Sequence, residues 1–334
     1  MSIQIPANYK SPMNIKETQV AIKEVKDYFE RALANELNLT RVSAPLFVRP
    51  ESGLNDNLNG VERPVSFDIK EGGKVVEIVQ SLAKWKRYAL KQYGFEAGEG
   101  LYADMTAIRR DEDTDNLHSI YVDQWDWEKV IEKRDRNYEM LVTVVNQVYR
   151  ALRDTEDYFL RRYNFLESLL PNNITFISAQ ELEYKYPSLT PKQREREYAK
   201  EKGAIFVSGI GDKLLSGEKH DGRSPDYDDW SLNGDIILYY PVLDCAFEVS
   251  SMGIRVDEKV LKSQLEKAGC PERAELEFQK ALINGELPQT IGGGIGQSRI
   301  CMFFLRKAHI GEVQSTVWRD EDRREAEKAG IYLL

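Results

Sequence analysis

Two arginines in different surroundings are the residues of this 334-residue chain best suited to chemistry. Arg109 precedes a run of acids at positions 111–113, and Arg299 ends a glycine-rich segment at 292–299. A guanidinium keeps its charge at working pH and binds phosphate oxygens through a fork of N–H groups. Two such side chains beside a glycine-lined pocket suit a bound triphosphate. The pattern therefore indicates activation of a carboxylate by ATP.

The composition narrows the class of protein. With 42% hydrophobic residues the chain can bury a large core. Its net charge is −9 and its basic residues are interspersed with acids, which argues against a nucleic acid partner. No apolar run approaches the roughly 18 residues of a membrane span, and the amino terminus lacks the pattern of a signal peptide. The sequence predicts a globular, cytoplasmic protein without membrane contacts.

The cysteines and histidines show no metal-binding spacing, which is also typical of a chain in the reducing cytoplasm. These scattered residues are Cys245, Cys270, Cys301, His118, His220 and His309.

Periodicity predicts the elements that must position the two arginines. A capping box begins a helix at 14–38, and strands at 40–45 and 74–79 follow it. A further strand is predicted at 120–130. Because alternate side chains of a strand point to opposite faces, Gln124, Asp126 and Glu128 would line a cleft there, with Trp125 and Trp127 packed behind.

The remaining elements favour an α+β fold. The predicted helices are 138–159, 192–202, 257–268, 273–283 and a last one that follows the glycine segment through 306, and the predicted strands are 204–207, 235–240 and 246–251. The polar segment 212–230 is long enough to form a lid. Strands in hairpin-like succession beside separate helices indicate an antiparallel sheet flanked by helices, in one domain spanning 1–334.

Taken by itself, the glycine-rich segment allows more than one structural interpretation. It lacks the lysine of a P-loop and the glycine spacing of a dinucleotide fold. Its glycines could simply let a helix pack against a sheet.

Together the motifs resemble those of class II aminoacyl-tRNA synthetases. The Arg109 stretch resembles motif 2, the segment ending at Arg299 resembles motif 3, and the first helix with Pro45 resembles motif 1. The patterns 80–86 and 248–255 are similar to the catalytic domain of aspartyl-tRNA synthetase.

Nearly the whole chain more closely resembles the ammonia-dependent asparagine synthetases, the aspartate–ammonia ligase family. The segments that carry this resemblance are 81–86, 121–128, 225–230 and 250–255. The resemblance implies ATP and Mg²⁺ as cofactors and β-aspartyl-AMP as the intermediate, which ammonia converts to asparagine. It also implies a homodimer, because Pro45 and its helix resemble the class II dimer interface.

The resemblance implies roles at the amino acid. Lys86 and Arg255 would hold the α-carboxylate of aspartate, and Arg109 would meet its β-carboxylate and the α-phosphate, although Arg110 is a rival for that position. The expected hydrogen-bonding partners of aspartate are Ser81, Gln124 and Ser251, and the expected acceptors for its ammonium group are Asp56 first, then Asp123 and Asp126. Asp123 points away from the cleft if its strand is regular.

At the nucleotide, Arg299 would stack near adenine or touch the phosphates, while Gly294 and Gly296 let backbone approach. Asp235 and Glu248 resemble the acidic pair that holds Mg²⁺ in this class, with Asp244 a rival for Asp235.

Several of these residues could instead have a purely structural role. Ser81 could cap the helix that follows it, and Lys86 could lie on the exposed side of that helix. Asp56 and Asp235 could be solvated acids. Asp226, in the predicted lid, would either bind the incoming ammonium or solvate a loop. An active-site carboxylate such as Asp56 or Asp226 could serve as the base, which the sequence does not assign.

Free ammonia is the expected nitrogen donor. Glutamine-dependent enzymes resemble amidotransferases with an amino-terminal cysteine nucleophile, whereas position 2 is Ser2. Two other functions stay open: a tRNA-acting synthetase, for which the chain leaves no room for an anticodon-binding barrel, and a non-catalytic paralogue that binds aspartate or adenylate.

Overall fold

A large mixed sheet with helices on both faces organises the chain. The computed structural model describes residues 3–56, 58, 62–70, 72–164 and 166–334. Ser2, which bears on the nitrogen donor, lies outside these residues. In the described ranges no helix is long and apolar enough to cross a membrane.

The strands and helices are numbered in chain order. The strands are β1 (Leu39–Arg41), β2 (Phe47–Val48), β3 (Ser66–Asp68), β4 (Val75–Ile78), β5 (Gly100–Ile108), β6 (Tyr121–Val130), β7 (Thr175–Ser178), β8 (Ala204–Ser208), β9 (Asp228–Tyr240), β10 (Cys245–Arg255) and β11 (Thr290–Gly296). The helices are α1 (Ile15–Leu37), α2 (Ala83–Tyr93), α3 (Tyr138–Arg162), α4 (Ala179–Lys185), α5 (Pro191–Lys202), α6 (Glu258–Lys267), α7 (Glu277–Ile283), α8 (Gln297–Phe304) and α9 (Asp320–Lys328).

The sheet is antiparallel at its centre. Its order is β1-β5-β6-β11-β10-β9-β8-β7, in which the outer pairs β1/β5 and β7/β8 are parallel and every other neighbouring pair is antiparallel. A small second sheet has the order β2-β4-β3. The predicted α+β class with an antiparallel sheet is confirmed.

The face of the sheet opposite the cleft is covered by α1 and α3. The capping box predicted at Asn14 is present, and Glu17 returns its hydrogen bond to the Asn14 backbone. Phe29, one helical turn after the buried Val25, packs against Trp125 with ring centroids 4.9 Å apart. Trp125 and Trp127 are fully buried, which confirms the predicted alternation along β6.

Several boundaries differ from the sequence-based prediction. Strand β9 begins at Asp228, so the end of the predicted lid belongs to the sheet, and the strand predicted at 40–45 is shortened to β1. Strands β5 and β11 and helix α9 were not predicted. Glycine is depleted in strands, and the glycine run of β11 is extended because it pairs with β6 on one side and β10 on the other.

Candidate active site

A cleft of about 380 Å³ opens over the centre of the large sheet. Its walls come from β6, β10 and β11, from the segment after β5 and from the segment before β9. The predicted site residues that line it are Ser81, Lys86, Arg109, Asp123, Gln124, Asp126, Glu248, Ser251, Arg255, Gly294, Gly296 and Arg299. The two arginine motifs therefore meet at one cleft.

Buried charges of both signs form a network at the cleft, in which Glu128, predicted to line the cleft, is fully buried and not among the described lining residues. This paired cluster consists of Lys86, Asp126, Glu128, Asp228 and Arg255. Lys86 Nζ donates to Asp126 Oδ1 and to the carbonyl oxygens of Trp127 and Gly293, each at 3.0 Å. A lysine ammonium has three N–H groups, so all of them are directed at protein acceptors.

Arg255 joins the two other acids of the paired cluster. Its Nε and Nη2 atoms lie 2.9 and 2.7 Å from the carboxylate oxygens of Glu128, and its Nη1 donates to Asp228. Such a bidentate pair fixes both side chains in one geometry.

Burial and charge compete within the paired cluster. Burial lowers the pKa of Lys86 and raises that of Asp228. Burial would also raise the pKa of Glu128, but the adjacent Arg255 outweighs it and the pKa falls. Glu128 is therefore held ionised with no exposed surface.

The glycines of β11 make room for these polar side chains. Gly292 and Gly294 lie directly opposite Glu128 and Asp126 in the antiparallel pair β6/β11. A Cβ atom at position 292 would lie 1.9 Å from Glu128 Oε2, and one at position 294 would lie 2.7 Å from Gln124 Oε1. The space freed by both glycines is occupied by side chains of β6.

A second group of charges also surrounds the cleft. This open cluster consists of Asp221, Arg223, Asp235, Glu248 and Arg299. Arg223 Nη2 donates to Asp235 Oδ2, and Arg299 Nη1 donates to the Glu248 carbonyl oxygen at 2.9 Å. Within the described residues, Asp235 Oδ1 and Arg223 Nε are buried without a hydrogen-bond partner.

Asp235 and Glu248, two of the three acids of the open cluster, have pKa values shifted in opposite directions. Burial raises the pKa of Asp235 to about 6, and the like charge of Glu248 adds to this effect against the opposing Arg223. Burial would also raise the pKa of Glu248, but Arg299, Lys192 and Arg223 outweigh it and lower the value to about 2.

A bulge in β10 brings Glu248 to the cleft face. Ser251 pairs with Asp235 and Glu248 pairs with Ile237, while the register shifts between Glu248 and Ser250. In a regular strand, residues three apart would point to opposite faces. The extra residue lets Glu248, Ser251 and Asp235 share one face, as bulges beside active sites often do.

The structure separates the two arginines at the start of motif 2. Arg109 lines the cleft, lies 3.9 Å from Glu112 Oε2 and has a buried Nε without a partner in the described chain. Arg110 is exposed and is not among the described lining residues. The geometry favours Arg109.

The acids Asp56, Asp226 and Asp235 lie behind the described cleft wall instead of lining it. Asp226 accepts hydrogen bonds from Lys84 Nζ at 3.1 Å, Gln279 Nε2 at 2.8 Å and Ser224 Oγ at 2.9 Å. The placement of Asp226 on a lid facing substrate is therefore corrected, because these donors hold its carboxylate in the interior. Burial raises the pKa of Asp56.

The segment 212–230, predicted to be a lid, forms a wall of the cleft, and its outer side is hydrogen-bonded to neighbouring helices. His220 Nε2 lies 2.9 Å from Glu195 Oε1 on α5, and Ser216 Oγ donates to Glu183 Oε1 on α4 at 2.8 Å. These contacts attach the segment to two helices. Its inner side contributes Asp221 and Arg223 to the cleft.

Three other residues predicted for the site have hydrogen-bond or ion-pair partners within the protein. Ser81 lines the cleft, and its Oγ accepts from the Ala83 N–H at 3.1 Å, so it also supports the start of α2. Asp123 is held by Lys26 Nζ at 2.9 Å and the Ser298 N–H at 3.0 Å. Asp244 lies in the turn after β9, paired with Arg196.

Sequence reasoning missed Arg223 and Asp228 as lining residues. Asp228 lies within the segment 225–230 that carried the family resemblance, and Arg223 comes just before it. Proximity to that segment was the signal that could have found both.

The open cluster suits a divalent cation. Mg²⁺ is usually bound by one or two carboxylates together with substrate phosphates. Glu248 lines the cleft and Asp235 has a free buried oxygen behind it, which fits that pattern. In the described residues, no group of three or more His, Cys, Asp or Glu side chains could hold a metal alone.

The sheet and cleft define a class II aminoacyl-tRNA synthetase-like fold. The structure is similar to asparaginyl-tRNA synthetase from Pyrococcus horikoshii complexed with asparaginyl-adenylate, with a TM-score of 0.62 at 17% identity over 89% of this chain and 68% of that one. It is also similar to asparaginyl-tRNA synthetase from Entamoeba histolytica, with a TM-score of 0.60 at 13% identity over 90% of this chain and 67% of that one.

Within that class, the chain belongs to the aspartate-ammonia ligase family, whose sequence pattern it matches over residues 16–330. It is 65% identical to the aspartate–ammonia ligase of Ruminiclostridium cellulolyticum over 98% of both chains. It is 62% identical to that of Clostridium perfringens over 99% of this chain and 98% of that one. The protein is thus a ligase of asparagine biosynthesis.

Proposed function

We propose that the cleft makes L-asparagine from L-aspartate, ammonia and ATP through β-aspartyl-AMP, and releases AMP and pyrophosphate. One observation supports this most. Arg109, Arg299 and Glu248 share a single cleft with Gln124 and Asp126. Groups that can bind phosphates and groups that can bind an amino acid therefore line the same cleft.

The first step activates the β-carboxylate. A carboxylate is a poor acyl donor because oxide is a poor leaving group. An oxygen of the β-carboxylate attacks the α-phosphorus of ATP, and pyrophosphate leaves. Arg109, whose Nε has no described partner, is the donor that stabilises the developing charge, a contribution worth about 3–4 kcal/mol for one well-placed group.

The paired cluster is suited to the α-ammonium and α-carboxylate of aspartate. Its three acids exceed its two bases by one negative charge, which favours a bound ammonium group. Arg255 has five N–H donors and keeps some beyond those bound to Glu128 and Asp228, so it can hold the α-carboxylate. Lys86 has none to spare and instead positions Asp126 and the β11 backbone.

Asp235 and Glu248 would hold Mg²⁺, which neutralises phosphate charge when bound. Arg299 lies on the same side of the cleft and can contact the nucleotide.

Ammonia then displaces AMP from the acyl carbon to give the amide. Free ammonia stays our proposed donor. The cytoplasmic location and the homodimer stay predictions. Leu46 and Phe47, directly after Pro45, are 50% and 44% exposed, so this apolar surface is open to a second copy.

Two assays test the proposal with purified protein. Labelled pyrophosphate should exchange into ATP only when aspartate is present, and aspartate, Mg²⁺, ATP and an ammonium salt should yield asparagine and AMP without tRNA. Exchange without amide formation would indicate a synthetase-like activity. The absence of both would indicate a binding protein and contradict the proposal.

A further inference from the structure

Arg223 stands between the cleft and a buried carboxylate. Arg223 lines the cleft, whereas Asp235, to which it donates, is 1% exposed and is not among the described lining residues. A cation that approaches Asp235 from the cleft therefore meets the guanidinium first.

The surroundings explain why a cation is needed there. Asp235 and Glu248 are on one face of neighbouring strands, and each raises the electrostatic cost of ionising the other. Arg223 offsets that repulsion, and Asp221 Oδ2 lies 3.5 Å from its Nη1. In the absence of other cations, removing this guanidinium leaves two buried like charges less compensated.

The backbone near Arg223 is fixed by contacts with α5, whereas the guanidinium of Arg223 is only partly satisfied. His220 is tied to Glu195, and Lys192 Nζ lies 3.4 Å from Asp221 Oδ2. Arg223 Nη1 donates to the Gly222 carbonyl oxygen at 2.8 Å and Nη2 donates to Asp235, whereas Nε has no partner within the described structure. The guanidinium therefore keeps a donor free for an incoming phosphate oxygen. A planar guanidinium also suits phosphate oxygens as well as it suits a carboxylate.

We infer that Arg223 is the counter-cation of Asp235 before nucleotide binds, and that it moves to the phosphate oxygens of ATP when a divalent cation binds that carboxylate. This inference rests on the proposed function. It makes Arg223 a competitor of the metal before nucleotide binds and a ligand of the nucleotide afterwards.

If this exchange occurs, Arg223→Ala should change the affinities for metal and for nucleotide in opposite directions. The variant should bind Mn²⁺ alone roughly tenfold more tightly than the wild type, because Asp235 is no longer occupied. It should bind ATP in the presence of Mg²⁺ roughly tenfold more weakly, because a phosphate ligand is lost. Electron paramagnetic resonance of free Mn²⁺ measures the first affinity and calorimetry the second.

Two further variants serve as controls. Arg196→Ala removes a matched arginine–aspartate pair at the surface, with Asp244, and should change neither affinity. Arg223→Lys keeps the positive charge, so its affinity for Mn²⁺ alone should stay near the wild-type value while its affinity for ATP falls. If Arg223→Ala does not fold, the inference is tested with Arg223→Lys alone, through its affinities for Mn²⁺ and for ATP.

Unchanged or weaker binding of Mn²⁺ alone by Arg223→Ala would overturn the inference, as would a tightened Mn²⁺ site in Arg223→Lys. These results leave the proposed function intact if the wild type makes asparagine. A wild-type protein that makes no asparagine refutes the proposed function instead, whatever the metal affinities are.

Discussion

The two charged clusters of the cleft are built from the same residue types and differ in completeness. In the paired cluster, Lys86 and Glu128 are fully buried and their charged groups are bound by protein partners. In the open cluster, Asp235 Oδ1 and Arg223 Nε are buried without partners among the described residues.

This difference predicts that the two clusters contribute unequally to stability. An unpartnered buried polar atom costs free energy, so it persists only where another interaction compensates, and a bound ligand can supply that interaction. The paired cluster needs no ligand to satisfy its groups. We therefore expect the paired cluster to contribute to stability as well as to the binding of aspartate, and the open cluster to contribute mainly to the binding of nucleotide and metal.

Replacement of Glu128 by glutamine is the strongest test of this contrast. Arg255 and Lys86 would lose the carboxylate that lies between them. Breaking one partner of a buried ion pair costs about 3–5 kcal/mol. Urea unfolding should show a decrease of that order in the free energy of unfolding of Glu128→Gln.

Asp235→Asn is the matched control in the open cluster. It also neutralises a buried acid paired with an arginine, but this acid lies beside the like charge of Glu248. Its free energy of unfolding should change by less than about 1 kcal/mol. Equal losses in the two variants would remove the distinction between the clusters.

Arg109→Ala should instead affect activity without affecting stability. The side chain has one distant ion pair, at 3.9 Å, so the free energy of unfolding should change little. Loss of a donor to the developing phosphate charge should lower kcat by about 10²–10³-fold. Measurements of asparagine formation and urea unfolding distinguish these outcomes.

The neighbouring arginine provides the comparison for this experiment. Arg110 is exposed, so Arg110→Ala should retain activity close to that of the wild type. A larger loss in Arg110→Ala than in Arg109→Ala would reverse the assignment of the two positions.

His309 gives a smaller effect outside both clusters, visible in acid. Burial lowers the pKa of His309 from 6.5 to about 4, and its Nδ1 accepts from the Gly311 N–H at 3.0 Å. The unfolded chain therefore binds a proton at a higher pH than the folded chain does. The contribution of neutral His309 to stability is present above pH 6.5 and is lost as pH decreases toward about 4, by about 3 kcal/mol.

A variant that cannot titrate should lose this component. Asparagine at position 309 can accept the same hydrogen bond. Across that pH window, the free energy of unfolding of His309→Asn should decrease less steeply than that of the wild type, whatever its constant offset. Parallel curves would place the acid sensitivity elsewhere, for example in the paired cluster.

The sequence by itself determined the local elements and the identity of the main motifs. The capping box of α1 and the alternation of Trp125 with Gln124 and Asp126 depend on short-range periodicity, which is written in neighbouring residues. The family resemblance also placed Arg109 and Arg299 at a common site.

Only the tertiary structure decided how distant side chains pair. The donors of Lys86 reach Gly293 and Trp127, the β10 bulge turns Glu248 toward Asp235, and the bulge depends on pairing with β9. Long-range pairing leaves no period in the sequence, so the glycine strand β11 and the pairing of Arg223 with Asp235 could not be predicted. Which charges are saturated and which await a ligand is a property of the assembled sheet, because burial and partners exist only after its strands meet.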